Sequence, residues 1–171
     1  MKKECIVYIH IWKTGGTTVR RLIEKYDWNL GILLHQPNDK YLQENCVTAS
    51  TLRHPYDIFI SSCKYCYGEK LNHQKIEEAI DNKLFNISQG YHNYYYQHSI
   101  TDILINFNDY PNSLNRFLIK SKFINKQISV PICNKSSHRS SIVPTKQQSN
   151  QIKELLKKDI LLYNQLEERT I

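Results

Sequence analysis

The segment CIVYIHIWKTGGTTVRRLIEKY, residues 5–26, constrains the fold more than any other part of the chain. Its first seven residues are almost wholly apolar and rich in β-branched side chains, the pattern of a strand covered on both faces of a parallel sheet. From Thr17 the period changes. Val19, Leu22, Ile23 and Tyr26 stand at i, i+3, i+4 and i+7, which draws one apolar stripe along a helix. Strand, glycine turn and helix open a βαβ unit. The N–H groups of such a turn, with the positive end of the helix behind them, make an anion site. In an NTP-binding P-loop the lysine follows the glycines. Here Lys13 precedes Thr14, Gly15, Gly16, Thr17 and Thr18. Taken alone, these six residues fit an ordinary βα turn with an exposed lysine equally well.

The rest of the chain extends the same alternation. LGILLH (30–35), CVTASTLR (46–53) and TDILINF (101–107) read as further strands. Pro55 suits the first turn of a second helix, with Tyr56, Phe59, Ile60, Cys63 and Tyr67 on its buried face. Residues 69–99 are polar, with a helix expected around QKIEEAIDNKLF. PNSLNRFLIKS (111–121) reads as a helix with Leu114, Phe117 and Leu118 inward, and 125–145 as loop. One final helix is expected over 146–168, striped by Ile152, Leu155, Leu156, Leu162, Tyr163 and Leu166. No internal repeat is present. The expectation is an α/β fold over 1–171 as a single domain: three layers, with a mainly parallel sheet of about four to five strands flanked by helices.

The length, 171 residues, suits one domain, and 40% hydrophobic with 23% charged residues describes an ordinary globular chain. No stretch approaches the roughly 20 apolar residues of a membrane span. The basic, then apolar start resembles a weak signal peptide, but it runs into the glycine turn without a small-residue cleavage site and reads better as a first strand. Five widely spread cysteines favour reduced thiols and a cytoplasmic setting over a disulfide framework. The formal charge of +7 points to an anionic ligand: nucleotide, nucleic acid or acidic glycan.

A second motif narrows that choice. In TLRHPYDIFISS, Arg53 leaves the third strand, Pro55 starts a helix and Ser61 lies further along it. The carboxyl ends of neighbouring strands in a doubly wound sheet face one crevice. Arg53 is therefore placed to bind a second phosphate with its planar fork, and Ser61 to donate a hydrogen bond. Two anion positions on one crevice suit a nucleotide with phosphates at both ends of its ribose.

HIWKTGGTT resembles the HIPKTGGTS signature of sulfotransferases, especially the Golgi carbohydrate 2-O and 6-O types and their bacterial relatives. LRHPYDIFISS is similar to their second signature, an Arg-x-Pro followed by a helix carrying Ser. CNKSSH (133–138) and DILLY (159–163) resemble the family's C-terminal landmarks. The resemblance implies a P-loop-type fold and an enzyme that uses 3′-phosphoadenosine 5′-phosphosulfate (PAPS) as co-substrate, with no metal expected. It implies that Lys13 stabilises the leaving phosphate oxygen and that Thr14 to Thr18 hold the 5′ end. Arg53 and Ser61 would hold the 3′-phosphate. Apart from the resemblance, SSHRSS (136–141) fits either a loop closing over the nucleotide, with Arg139 near the 3′-phosphate, or a mobile solvated loop. The acceptor would be a hydroxyl, of a carbohydrate or another small molecule; membrane partners are not expected and nucleic acid is disfavoured. Trp12 replaces the usual proline, and His54 and Ile58 stand where the family often has Asp and Arg.

An acceptor hydroxyl needs a base, and histidine titrates in the useful range. His35, at the end of the second expected strand, is the candidate; the alternative is a turn or surface role. His10, inside the first strand, reads as structural, and His92 and His98 are more distant candidates. CKYC (63–66) lacks a second cysteine pair and reads as helix surface and core rather than zinc or redox chemistry. GYHNYYYQH (90–98) fits a core-covering surface or a sugar-stacking one. Two rival functions stand beside sulfuryl transfer: a small divergent P-loop kinase, and a non-catalytic domain that binds an acidic glycan or nucleic acid.

Overall fold

The structure, a computed structural model, describes residues 5–10, 13–27, 31–34, 46–83, 101–130 and 141–171; Cys5 and residues 31–34 are described by their backbone alone. It is an α/β fold with a small parallel sheet flanked by helices. The elements are β1 (Cys5–His10), α1 (Gly16–Tyr26), β2 (Gly31–Leu34), β3 (Cys46–Leu52), α2 (Pro55–Tyr67), a 3-10 turn (Gly68–Lys70), α3 (His73–Asp81), β4 (Ile103–Asn106), α4 (Tyr110–Lys120), α5 (Lys146–Leu155) and α6 (Lys157–Glu167).

The strands run parallel in the order β2-β1-β3-β4. The sheet is small, its four paired strands standing at the lower end of the expected four to five. Its described side chains come from three, β1, β3 and β4, since β2 is known only by its backbone pairing. Beyond β4 the chain end adds one bridge, Leu104 to Thr170, rather than a strand. Tyr8, Ala49 and Ile105 project to one face and pack with Val19 and Leu22 of α1 and Leu114, Phe117 and Leu118 of α4. Leu52 and Leu104 project to the other and meet Tyr163 and Leu166 of α6. This alternation is the period-2 consequence of the pleat.

Three expected helix faces are redrawn by packing. On α1, Tyr26 is 39% exposed rather than the end of the stripe, with the Lys25 ammonium 5.0 Å from its ring centroid. On α2 the buried residues are Pro55, Ile58, Phe59, Ser62 and Cys63, a regular stripe. Apolarity alone misses Ser62, because its hydroxyl is made neutral to burial by donating to the Ile58 carbonyl at 2.8 Å. The single C-terminal helix is two, broken at Leu156. No proline or glycine is involved. Leu156 and Ile152 are drawn into a cluster with α2 and α3, whereas Tyr163 and Leu166 are drawn to the sheet.

Cys63 is a buried free thiol whose pKa burial pushes up to about 12, and Cys66 is an exposed free thiol. Cys46 is disulfide-bonded, against the expectation of reduced thiols, so cysteine usage no longer argues for a reducing compartment. No helix among the described residues is long and apolar enough to cross a membrane.

At the start of α2, the Tyr56 N–H donates to His54 Nδ1 at 3.2 Å, so the imidazole caps the helix. Burial against the Tyr163 ring, 4.8 Å away, holds the His54 pKa below its usual value. Asp57 and Glu167 pull it up, and Lys153 pushes it down. Protonation removes the acceptor and places a cation on the positive helix end. The stabilisation is therefore complete above about pH 6.5, the unfolded value, and is lost as pH falls through the lower folded value. His54→Asn, which keeps a cap, is expected to flatten the acid limb of a melting-temperature profile. An unchanged limb would refute the assignment.

Candidate functional site

The chain reverses its direction of travel across the sheet between β1 and β3, the point where open α/β sheets leave a crevice beyond their carboxyl ends. The loop after β1 carries Lys13 to Gly15, and the loop after β3 carries Arg53 and His54. The two loops touch. Arg53 Nη1 donates to the Lys13 carbonyl at 2.6 Å, and the guanidinium lies 4.3 Å from the Phe107 ring centroid. The two sequence motifs therefore meet at one edge of the sheet.

Lys13 has φ 62° and Gly15 φ 86°, both left-handed. For lysine this conformation costs on the order of 1–2 kcal/mol, so the surrounding contacts must impose it. Left-handed Gly15 followed by right-handed Gly16 turns successive N–H groups into one concavity, the arrangement of an anion nest. Gly15 is also the cap residue of α1 and brings no side chain to occupy the first turn.

The glycines have a second reason that sequence reasoning missed. A Cβ on Gly16 would fall inside the His10 ring, and one on Gly15 would lie 2.9 Å from Tyr110 Cζ. The Tyr110 hydroxyl donates to the Gly15 carbonyl at 2.9 Å. His10, expected to be structural, packs beneath the start of α1. Ligand approach on one side and protein packing on the other both exclude side chains here.

The threonines divide. Thr14 is fully buried, and its hydroxyl joins a core network in which the Tyr8 hydroxyl is bonded to Thr51, Tyr110 and Thr14. The Tyr8–Thr51 bond is 2.5 Å, and burial raises the Tyr8 pKa well above its ordinary value. The Thr14 hydroxyl is thus committed to the core rather than to a ligand. Thr18 is 3% exposed and belongs to the buried stripe with Leu22; Thr17 is half-buried. For Thr18 the spacing to Leu22 held this signal, since residues four apart share a helix face; Thr14 lies in the turn before the helix, where no periodicity applies.

Lys13 is half-buried, and its ammonium lies 4.2 Å from the Tyr65 ring centroid. Burial and then the Arg53 charge lower its pKa, while Cys66 raises it. Among the described residues Lys13 forms no ion pair. Ser61 is half-buried one turn before Tyr65 on the same face of α2. Ile58 is 2% exposed and serves the core.

His35, Arg139, Trp12, His92, His98 and the 133–138 segment lie outside the described residues. No group of three or more His, Cys, Asp or Glu placed to hold a metal is found among the described residues. A groove of about 610 Å³, lined by Tyr26, Ile119, Phe123 and Ile128 among others, lies at the C-terminal ends of α1 and α4, away from Lys13 and Arg53. Its volume suits a ligand, but its walls carry none of the loop chemistry. Compared with family models, curated proteins and solved structures, the chain finds no match.

Proposed function

We propose that this crevice binds the two phosphate-bearing ends of PAPS and that the protein is a sulfotransferase with a P-loop-type fold. The observation that carries the reading is the Arg53–Lys13 carbonyl bond, which joins the two motifs at the switch point of the sheet. Two cations beside a nest of N–H groups, with no carboxylate paired to Lys13 among the described residues, make a positive site that suits an anion. In the proposed reaction an acceptor hydroxyl, of a carbohydrate or similar molecule, attacks sulfur. The new O–S bond forms as the bond from sulfur to the bridging phosphate oxygen breaks, and the acceptor proton passes to a base. Lys13 balances the charge left on that oxygen, and Arg53 and Ser61 take the 3′-phosphate side.

Isothermal titration with 3′,5′-adenosine bisphosphate tests the reading. Micromolar binding by the wild type is expected, with Lys13→Ala weaker by about 1.5–3 kcal/mol, the range for a hydrogen bond to a charged group. Binding that ignores this substitution would remove Lys13 from the site, and no binding at all would remove the nucleotide.

The net charge also suits a non-catalytic alternative. Of the described histidines near the crevice, His54 uses Nδ1 as a helix cap and His10 is packed on Gly16, so neither is placed as a base. With a net charge of +7, a domain that only binds an acidic glycan or nucleic acid would show a steep salt dependence and no transfer of labelled sulfuryl group to any acceptor.

A further inference from the structure

The crevice contains an aromatic side chain with no part in the reading above. Tyr65 is 68% exposed, so it contributes little to the core, yet its ring face lies against the Lys13 ammonium at 4.2 Å. Residues on both sides of it have assigned work: Cys63 is core, and Ser61 lies one turn earlier on the same face. The ring meets the end of the one side chain on which the site's chemistry centres.

Lysine carries its charge on a flexible four-carbon stem, and fixing it costs conformational entropy. At Lys13 the left-handed backbone, tied by Arg53 through the carbonyl, sets where the stem begins. The ring sets where it ends. Arg53 repels the ammonium, and the negative face of an aromatic ring attracts it. A carboxylate in the same place would also hold the lysine, but it would neutralise the site and compete with an anionic ligand. A ring holds the cation and leaves its charge available. We propose that Tyr65 is a positioning residue for Lys13, holding the ammonium at the crevice mouth in the free protein so that an arriving anion meets it already ordered. This rests on the anion-binding reading for its purpose, but the contact itself exists without any ligand.

The test separates the two. Reductive methylation with ¹³C-formaldehyde keeps the lysine charge, and Lys13→Arg identifies the Lys13 methyl signal. In the free chain that signal should show an upfield ring-current shift in wild type and in Tyr65→Phe, and should lose it in Tyr65→Ala. A wild-type signal at the position of exposed lysines overturns the contact and the proposal with it. Titration with 3′,5′-adenosine bisphosphate, and with inorganic pyrophosphate, then reads the consequence. Tyr65→Phe should bind as wild type, and Tyr65→Ala about two- to fivefold more weakly, the range of an exposed cation–π contact. Equal binding of both anions by Tyr65→Ala and wild type, or no binding of either anion by any form, overturns the positioning role. If pyrophosphate binds and the nucleotide does not, the sulfotransferase reading fails and the Tyr65 proposal stands.

Discussion

Gly16→Ala is expected to destabilise the protein, although glycine to alanine within a helix usually gains up to about 1 kcal/mol. The sign reverses because the new Cβ would occupy the space of the His10 ring. His10 ends β1 and Gly16 begins α1, so neither can retreat without moving the loop between them. Overpacking of this kind costs about 1–3 kcal/mol, and more where the backbone is held. The loop is held, by the Arg53–Lys13 bond at 2.6 Å and the Tyr110–Gly15 bond at 2.9 Å. Urea unfolding should show a lower midpoint at unchanged slope, and anion binding should fall with it. The decisive control is His10→Ala in the same chain, which removes the ring and should recover most of the loss. A double mutant as unstable as the sum of the two singles would show that the clash is not the cause.

Arg53→Ala should have the largest effect on binding. The side chain supplies a charge-assisted hydrogen bond to the Lys13 carbonyl, a stack on Phe107 and one of the site's two cations. Removing it takes away a ligand charge and also releases the strained Lys13 backbone. A loss of about 2–3 kcal/mol, roughly 30- to 150-fold in Kd for 3′,5′-adenosine bisphosphate, is expected. Arg53→Lys should recover little, because an ammonium neither presents the planar fork nor stacks in the same way. Full recovery by lysine would mean that Arg53 acts as charge alone and that the loop-to-loop bond is incidental. Removing Arg53 should also raise the Lys13 pKa, since its repulsion is one of the forces lowering it. The alkaline limb of the remaining binding should then move to higher pH.

Much of the frame is visible in the sequence because its causes are local. The change from period 2 to period 3.6 at KTGGTT, the proline opening α2 and the stripe through Leu114, Phe117 and Leu118 each depend on neighbours within a turn or two. The break at Leu156 is not local: nothing in KELLKKD interrupts a helix, and it falls between residues packed on α2 and α3, Ile152 and Leu156, and residues packed on the sheet, Tyr163 and Leu166. Ser62 shows the same limit, since burial of a hydroxyl depends on an acceptor that hydropathy does not record.

At the candidate site the division is sharper. Residue types and spacing alone placed a glycine turn before a helix, a lysine ahead of it and an arginine at a neighbouring strand end. These follow from φ requirements, helix dipoles and strand periodicity, all short-ranged. Only the tertiary structure decided what each atom faces. It turned the Thr14 hydroxyl inward to Tyr8, set His10 and Tyr110 where glycine side chains would be, bound Arg53 to the Lys13 carbonyl and laid the Lys13 ammonium on Tyr65. Arg53 to Lys13, Tyr110 to Gly15 and Lys13 to Tyr65 join residues tens of positions apart, and Tyr8 to Thr14 and His10 to Gly16 face each other across the turn between strand and helix. Close packing chooses them, and close packing depends on every neighbour at once.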